Sequence, residues 1–150
     1  MHIEQQFSIF MMNKPGVMAK VLDEFAQEKI NIIAITMMDS VEHGVMRVVF
    51  DSPNKARIVL QRLNLPFSET DTLCVTLNNE SGALASVIGK LGKNHIPISY
   101  AYCTAGAKGG KTTGVLKVAN VEKAMKLLEQ SQKKQTKSQP LVRKAKSARR

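Results

Sequence analysis

The sequence predicts an α+β fold in which a βαββαβ unit occurs twice, with an antiparallel sheet and helices on one of its faces. Two observations predict this fold. A ten-residue segment beginning at Asn13 returns 66 positions later at Asn79, with Asn, Gly, Ala and Val identical at four of the ten positions. Around both segments, apolar residues recur first at every second position and then at helical spacing. This is the pattern of a half-buried strand followed by an amphipathic helix.

The repeat extends beyond that segment. The same offset places Ile32 on Ile98, whereas Lys55 meets Lys123 only at an offset of 68. Two residues are therefore inserted in the second copy, most simply in its glycine-rich loop. We divide the chain into a first unit, 1–70, and a second unit, 71–130.

In each copy the apolar spacing predicts the elements in the order of the unit. In the first copy they are strand Phe7–Met11, helix Val17–Phe25, strands Ile30–Met37 and Val45–Phe50, helix Asn54–Leu63 and strand Phe67–Thr70. In the second copy they are Leu73–Leu77, Leu84–Leu91, Ile96–Cys103, Thr113–Val118 and Val121–Gln130. The chain after Gln130 is polar, so we expect the last strand of the second copy to be missing, very short or supplied by another segment.

The net charge of +10 belongs to the end of the chain. Of the 22 basic residues, eight lie in 131–150, where there is no acidic residue, so residues 1–130 carry 14 basic against 12 acidic residues. We expect 131–150 to be a disordered basic tail. Contact of this tail with nucleic acid through counterion release is one interpretation, but the tail has no aromatic residue for base stacking. The composition favours a solvated extension.

No residue pattern points to catalysis, a metal or a cofactor. The three histidines are scattered, and Cys74 and Cys103 lack the close pairing of a zinc or redox motif. The segment 105–112 resembles a phosphate-binding loop, but it leads into a predicted strand where that loop requires a helix. No stretch approaches the roughly 20 apolar residues of a membrane span, and the first residues lack the composition of a signal peptide. We expect a cytoplasmic protein that is not an enzyme, uses no cofactor and does not contact membranes.

The order of these motifs resembles an ACT domain. The first copy has an alternating strand, the loop Asn13-Lys14-Pro15-Gly16, and an amphipathic helix that ends in Lys29-Ile30-Asn31-Ile32. With the second loop, Asn79-Glu80-Ser81-Gly82, the arrangement is similar to the small stand-alone tandem ACT proteins of bacteria. The resemblance covers about residues 3 to 130. It implies two ferredoxin-like units whose sheets join side by side, a homodimer, and a small effector, most often an amino acid, bound where two units meet.

The resemblance also implies which residues contact the ligand. Those at the two loops and helix starts are Asn13, Lys14, Pro15, Gly16, Val17, Met18, Asn79, Glu80, Ser81, Gly82, Ala83 and Leu84. Weaker candidates on the facing strands are Ile33, Ile35, Ser99 and Ala101. The physical chemistry agrees, because a helix start offers unpaired N–H groups and a positive dipole end to a carboxylate. Glycine in the loop lets a ligand approach the backbone closely.

Both loops depart from the family pattern. The family usually has Asp where this chain has Asn13 and Asn79, so a carboxylate that could face a ligand's ammonium group is lost. Glu80 replaces the usual basic residue and Ser81 the usual proline. We therefore expect the first loop to form the better site and the second a degenerate one. Two alternatives stay open. Each loop can be only a turn, or the two units can form a dimerising scaffold whose basic tail contacts nucleic acid.

Overall fold

The computed structural model describes residues 1–39, 43–104 and 110–137, which form ten helices and strands. In chain order they are β1 His2–Met12, α1 Val17–Gln27, β2 Ile32–Met38, β3 His43–Phe50, α2 Pro53–Arg62, β4 Phe67–Asn78, α3 Ala83–Lys93, β5 Ile98–Thr104, β6 Lys111–Val118 and α4 Val121–Lys137. Each copy therefore contributes five elements in the order βαββα.

Several boundaries differ from the sequence prediction, among them the start of β1, which is at His2 and not at Phe7. The strands expected at Phe67–Thr70 and Leu73–Leu77 are one continuous strand, β4, with no turn between them. Helix α4 continues past Gln130 to Lys137, so the first residues of the predicted tail are helical. The remainder of that tail, 138–150, lies outside the described residues.

All six described strands form one antiparallel sheet in the order β2-β3-β1-β4-β6-β5. The predicted α+β fold with two ferredoxin-like units is confirmed, with β1 and β4 side by side at the centre of the sheet. Among the described residues, no helix is long and apolar enough to cross a bilayer.

The two central strands are shared by both units. β1 pairs with β3 along Gln6–Met12 and with β4 along His2–Ile9. The beginning of β1 thereby occupies the position of a fourth strand in the second unit, with Ile3 opposite Leu73. Ile3 and Met1 also pack against the core of the second unit. Within the described residues, β1 therefore fills the position beside Leu73.

Each unit has its own apolar core between the sheet and its two helices. In the first unit the fully buried side chains include Phe7 from β1, Phe25 from α1 and Leu60 from α2. The alternation of β1 sends Phe7, Ile9 and Met11 to this core, and β4 sends Leu73, Val75 and Leu77 to the core of the second unit, 66 positions on. The helices therefore cover one face of the sheet.

The helix-free face is partly enclosed because the sheet is strongly curled. β3 and β5 are four strands apart, which in a flat sheet is about 19 Å. The guanidinium carbon of Arg47 on β3 nevertheless lies 3.9 Å from the centroid of the Tyr100 ring on β5. At the sheet edges, the Thr104 hydroxyl on β5 donates a 3.1 Å hydrogen bond to the carbonyl of Ile33 on β2. A third apolar cluster is buried on this face, formed by Ala34, Val49, Cys74 and Val115.

Candidate ligand-binding loops

The two predicted loops have the same backbone geometry. Gly16 and Gly82 immediately precede their helices and have φ angles of 85° and 84°. In the first loop the Lys14 amide donates to the Met12 carbonyl at 2.9 Å, and in the second the Glu80 amide donates to the Asn78 carbonyl at the same distance. The sequence repeat is therefore a repeat of conformation. A positive φ favours glycine, which explains why this residue is identical in both copies.

The starts of α1 and α3 have no side chain acting as a cap, and neither first turn contains an acidic residue. A left-handed glycine occupies the position where Ser, Thr, Asn or Asp would otherwise accept a hydrogen bond from the helix. The positive ends of both helix dipoles therefore face the loops without a compensating carboxylate in the first turn. This arrangement suits an anionic group of a ligand.

A cavity of about 240 Å³ lies beside the second loop. Four predicted residues line it, Asn79, Glu80, Ala83 and Leu84. The other lining residues are Leu77, Asn78, Cys103, Thr104 and Thr112. All nine belong to the second copy, so this cavity lies within one unit and not where two units meet.

This cavity adjoins the second loop, whereas the sequence favoured the first, and the two copies differ in side-chain size at the equivalent position. At the offset of 66, Met37 in the first copy corresponds to Cys103 in the second. The Met37 side chain lies over Gly44, where an added Cβ would be 2.5 Å from the Met37 Cε. The shorter Cys103 lines the cavity of the second copy. The first loop also uses Asn13 internally, since its Nδ2 donates a 2.8 Å hydrogen bond to the Asp39 carboxylate.

Polar groups of both signs surround the second loop. The Lys111 ammonium donates to the Asn78 side-chain oxygen at 2.5 Å, and the Asn78 amide approaches the Glu80 carboxylate at 3.4 Å. An adjoining open cavity of about 590 Å³ is lined by Lys111, Glu80, Ser81 and Gly82 among others. A positive and a negative side chain are thus held close together beside the start of α3.

The candidates on the facing strands do not line the 240 Å³ cavity. Ile35 and Ala101 face the helix side, because they pair with the core residues Val48 and Leu116. Ile33 packs against the third apolar cluster and lies in the register shift between Ile32 and Ala34. Ser99 lies in the corresponding register shift between Ile98 and Tyr100. Sequence reasoning missed Cys103, although the 66-residue offset would have shown it replacing Met37.

Among the described residues, no group of three or more His, Cys, Asp or Glu side chains could hold a metal ion. The free thiols differ in environment, with Cys74 buried and Cys103 exposed beside the cavity. Burial raises the pKa of the Cys74 thiol from 9.0 to about 11, with a smaller contribution from the Glu4 charge. Cys74 is therefore a neutral core residue at ordinary pH.

The duplicated fold and the uncapped loops define a tandem α+β module. The family model for the ACT domain pair matches residues 1–143, and the chain belongs to this family, whose domains are regulatory and not catalytic. The resemblance that the loops indicated is thereby confirmed. Among proteins of curated function, none matches this chain.

Solved structures show the same fold. Protein BT0572 from Bacteroides thetaiotaomicron is similar at a TM-score of 0.80 and 28% identity, over 87% of this chain and 89% of that one. The ligand-free regulatory subunit of aspartate kinase from Thermus thermophilus matches at a TM-score of 0.63 and 13% identity, over 87% and 97% of the two chains. The regulatory subunit of aspartate kinase from Thermus flavus gives 0.56 and 14%, over 86% and 92%.

Proposed function

We propose that this chain is a non-catalytic regulatory module that binds a free amino acid in the cavity beside the second loop. The observation that supports the proposal is the cavity itself, which lies at the uncapped start of α3 between the loop and the end of β5. Its volume of about 240 Å³ is below the usual range of drug-sized ligand pockets and suits a small metabolite.

The charges beside the loop match a zwitterion. The ligand carboxylate would accept hydrogen bonds from the first turn of α3 and lie near the Lys111 ammonium, while Glu80 would bind the ligand's ammonium group. The ligand side chain would then point toward Leu77, Leu84 and Cys103, which line the cavity. We therefore expect an amino acid with a small, uncharged side chain.

A thermal-shift screen of the twenty amino acids tests the proposal. A ligand that binds only the folded state raises the melting temperature in proportion to the logarithm of its concentration above Kd. The matched controls are the amide and the deamino analogue of each hit, which lack one of the two charges. Both should lose most of the stabilisation if Lys111, α3 and Glu80 act as proposed.

Chemical modification of Cys103 tests where the ligand binds. Cys103 is exposed and lines the cavity, so a bound amino acid should slow its reaction with a thiol reagent. Cys74 is buried and serves as an internal control. Absence of both a thermal shift and Cys103 protection across the whole screen would reject amino-acid binding at this loop.

We also propose that the protein forms a homodimer through the helix-free side of the first copy. Phe10, Met12 and Met38 are 40%, 52% and 46% exposed and lie at one end of β1 and β2. At the same offset the second copy has Thr76, Asn78 and Thr104, so the apolar surface is specific to the first copy. Sedimentation of the wild type and of Phe10→Ser tests this, since only the wild type should be dimeric.

A further inference from the structure

A row of polar side chains crosses the helix-free face of the first copy. Thr36 on β2 and Ser8 on β1 are each directly opposite Arg47 on β3, and Ser68 on β4 is opposite Ser8. Residues directly opposite on antiparallel strands project to the same face, with Cβ atoms about 5 Å apart. Three hydroxyl groups and one guanidinium group are therefore gathered in this row.

Arg47 has no carboxylate partner among the described residues. Its Nη1 donates at 2.7 Å to the Met38 sulfur, which is a weak acceptor, and its buried Nε has no hydrogen-bond partner. The other described arginines that form ion pairs, Arg57 and Arg62, do so with glutamates. Removing a guanidinium group from water is costly unless an opposite charge is supplied. The row therefore contains a half-buried positive charge without a counter-ion from the described chain.

A hydrogen-bonded network holds the guanidinium group in place. The Tyr100 ring stacks against it at 3.9 Å. The side chain of Gln6, which is 0% exposed, donates to the Tyr100 hydroxyl at 2.6 Å and accepts from the Tyr102 hydroxyl at 2.8 Å. Burial raises the pKa of Tyr102 above its usual range, so that phenol remains neutral and supplies no negative charge. The cation is positioned but not neutralised.

The fold does not require an arginine at position 47. At the offset of 68 the corresponding residue in the second copy is Val115, which is 0% exposed in the third apolar cluster. Its neighbours across the sheet are Cys74 and Tyr102, where the first copy has Ser8 and Thr36. The second copy therefore fills this position with packed apolar side chains, while the first copy has a cation and hydroxyl groups there.

We propose that the row is an oxyanion-binding site, centred on Arg47 and assisted by Ser8 and Thr36, that takes a small carboxylate or phosphate group. A guanidinium group binds both anions through paired N–H donors, and the hydroxyl groups provide further donors. The site is on the opposite face of the sheet from the loop cavity. It therefore stands independently of the proposed amino-acid site.

The test compares melting temperatures of the wild type in sodium phosphate, sodium acetate and sodium chloride at equal ionic strength. Phosphate, acetate or both should raise the melting temperature above that in chloride. Arg47→Val introduces the residue that the second copy carries, so it should fold and lose this anion-specific rise. Tyrosine emission should change with the same anions in the wild type, because Tyr100 lies against the guanidinium group. The apparent affinity should fall about tenfold or more in the variant.

Matched variants separate the site from general effects. Lys117 faces the same side of the sheet, opposite Tyr100, and Lys117→Val should keep the anion response. Arg47→Gln provides a second substitution should Arg47→Val be poorly folded. A response to phosphate alone indicates phosphate esters as ligands, and a response to acetate alone indicates carboxylates. An equal response in wild type and both Arg47 variants, or no wild-type response beyond chloride, overturns the proposal. Amino-acid protection of Cys103 should persist in Arg47→Val, so failure of either site is recognised separately.

Discussion

Gln5 on β1 and Asp71 on β4 lie directly opposite each other at the centre of the sheet, and they are equivalent residues of the two copies. On either side, the pair Glu4 and Thr72 is equivalent to the pair Thr70 and Gln6. The register is therefore symmetric about the Gln5–Asp71 pair, and a pseudo-twofold axis passes between them. Each copy contributes one central strand, which serves as the first strand of its own unit and the fourth strand of the other.

Shared strands predict that the two units unfold together. Phe7→Ala removes a ring that is 0% exposed in the first core and should lower the free energy of unfolding by about 3–5 kcal/mol. The chain has no Trp, and its two tyrosines, Tyr100 and Tyr102, are both on β5 of the second unit. Urea unfolding followed by tyrosine emission should show the same shift in midpoint as circular dichroism. A tyrosine midpoint that stays at the wild-type value would show that the units unfold independently.

The loop glycines predict equal costs of substitution in the two copies. Gly16→Ala and Gly82→Ala introduce a side chain at φ angles near 85°, where nothing lies within 4 Å of the new Cβ. The cost is then that of the left-handed backbone alone, about 1–2 kcal/mol in each case. Gly89→Ala is the control, because Gly89 lies in α3 with open space around its Cβ and should stabilise the protein by about 0.5–1 kcal/mol. Chemical denaturation of the three variants checks the contrast.

Side-chain size at Met37 and Cys103 predicts which loop can bind. Cys103→Met should fill the cavity of the second copy and remove the amino-acid-dependent rise in melting temperature, while the protein stays folded. Met37→Cys makes the converse change in the first copy and should leave that rise intact. Titration calorimetry with the best amino acid from the screen measures both affinities. Unchanged affinity in Cys103→Met would exclude the cavity as the binding site.

Burial of Cys74 predicts a loss of stability in alkaline solution. The folded state raises the pKa of this thiol to about 11, so the folded protein keeps the proton while the unfolded chain releases it above its ordinary value of 9.0. The stabilising contribution is present below about pH 9 and is lost as the pH rises through 11, at up to about 1.4 kcal/mol per pH unit. Urea unfolding at about pH 8 and about pH 10.5 should show a smaller drop in Cys74→Ala than in the wild type. Equal drops would mean that the thiol does not contribute.

The repeat and the helices were predictable because they depend on local periodicity. Phe7, Ile9 and Met11 alternate strictly, and the α1 positions Val21 and Phe25 recur at helical spacing. The shared strands were not predictable in the same way. Residues 2–6 of β1 contain three consecutive polar residues, so no alternation marks them as a strand. They are ordered by pairing with β4, a contact between residues about 70 positions apart.

The candidate site was predictable in its loops but not in its cavity. Gly16 and Gly82 immediately precede the helices that the sequence predicted, but their positive φ angles were not predicted. The cavity is also lined by Cys103, which lies on a strand distant in sequence from the second loop. The row around Arg47 had no sequence signal, because it exists only where three strands meet in register and β5 curls back over them.

The strand exchange between the copies has an evolutionary consequence. A single βαββα segment with a long first strand contains what it needs to form the same sheet by pairing with an identical chain about a twofold axis. In a dimer of identical chains, every substitution appears in both halves of the sheet. When two such segments are joined in one chain, a substitution in one half no longer appears in the other. Met37 could then diverge from Cys103, and Arg47 from Val115. Covalent fusion thus allows one ancestral surface to specialise in two directions within a single sheet.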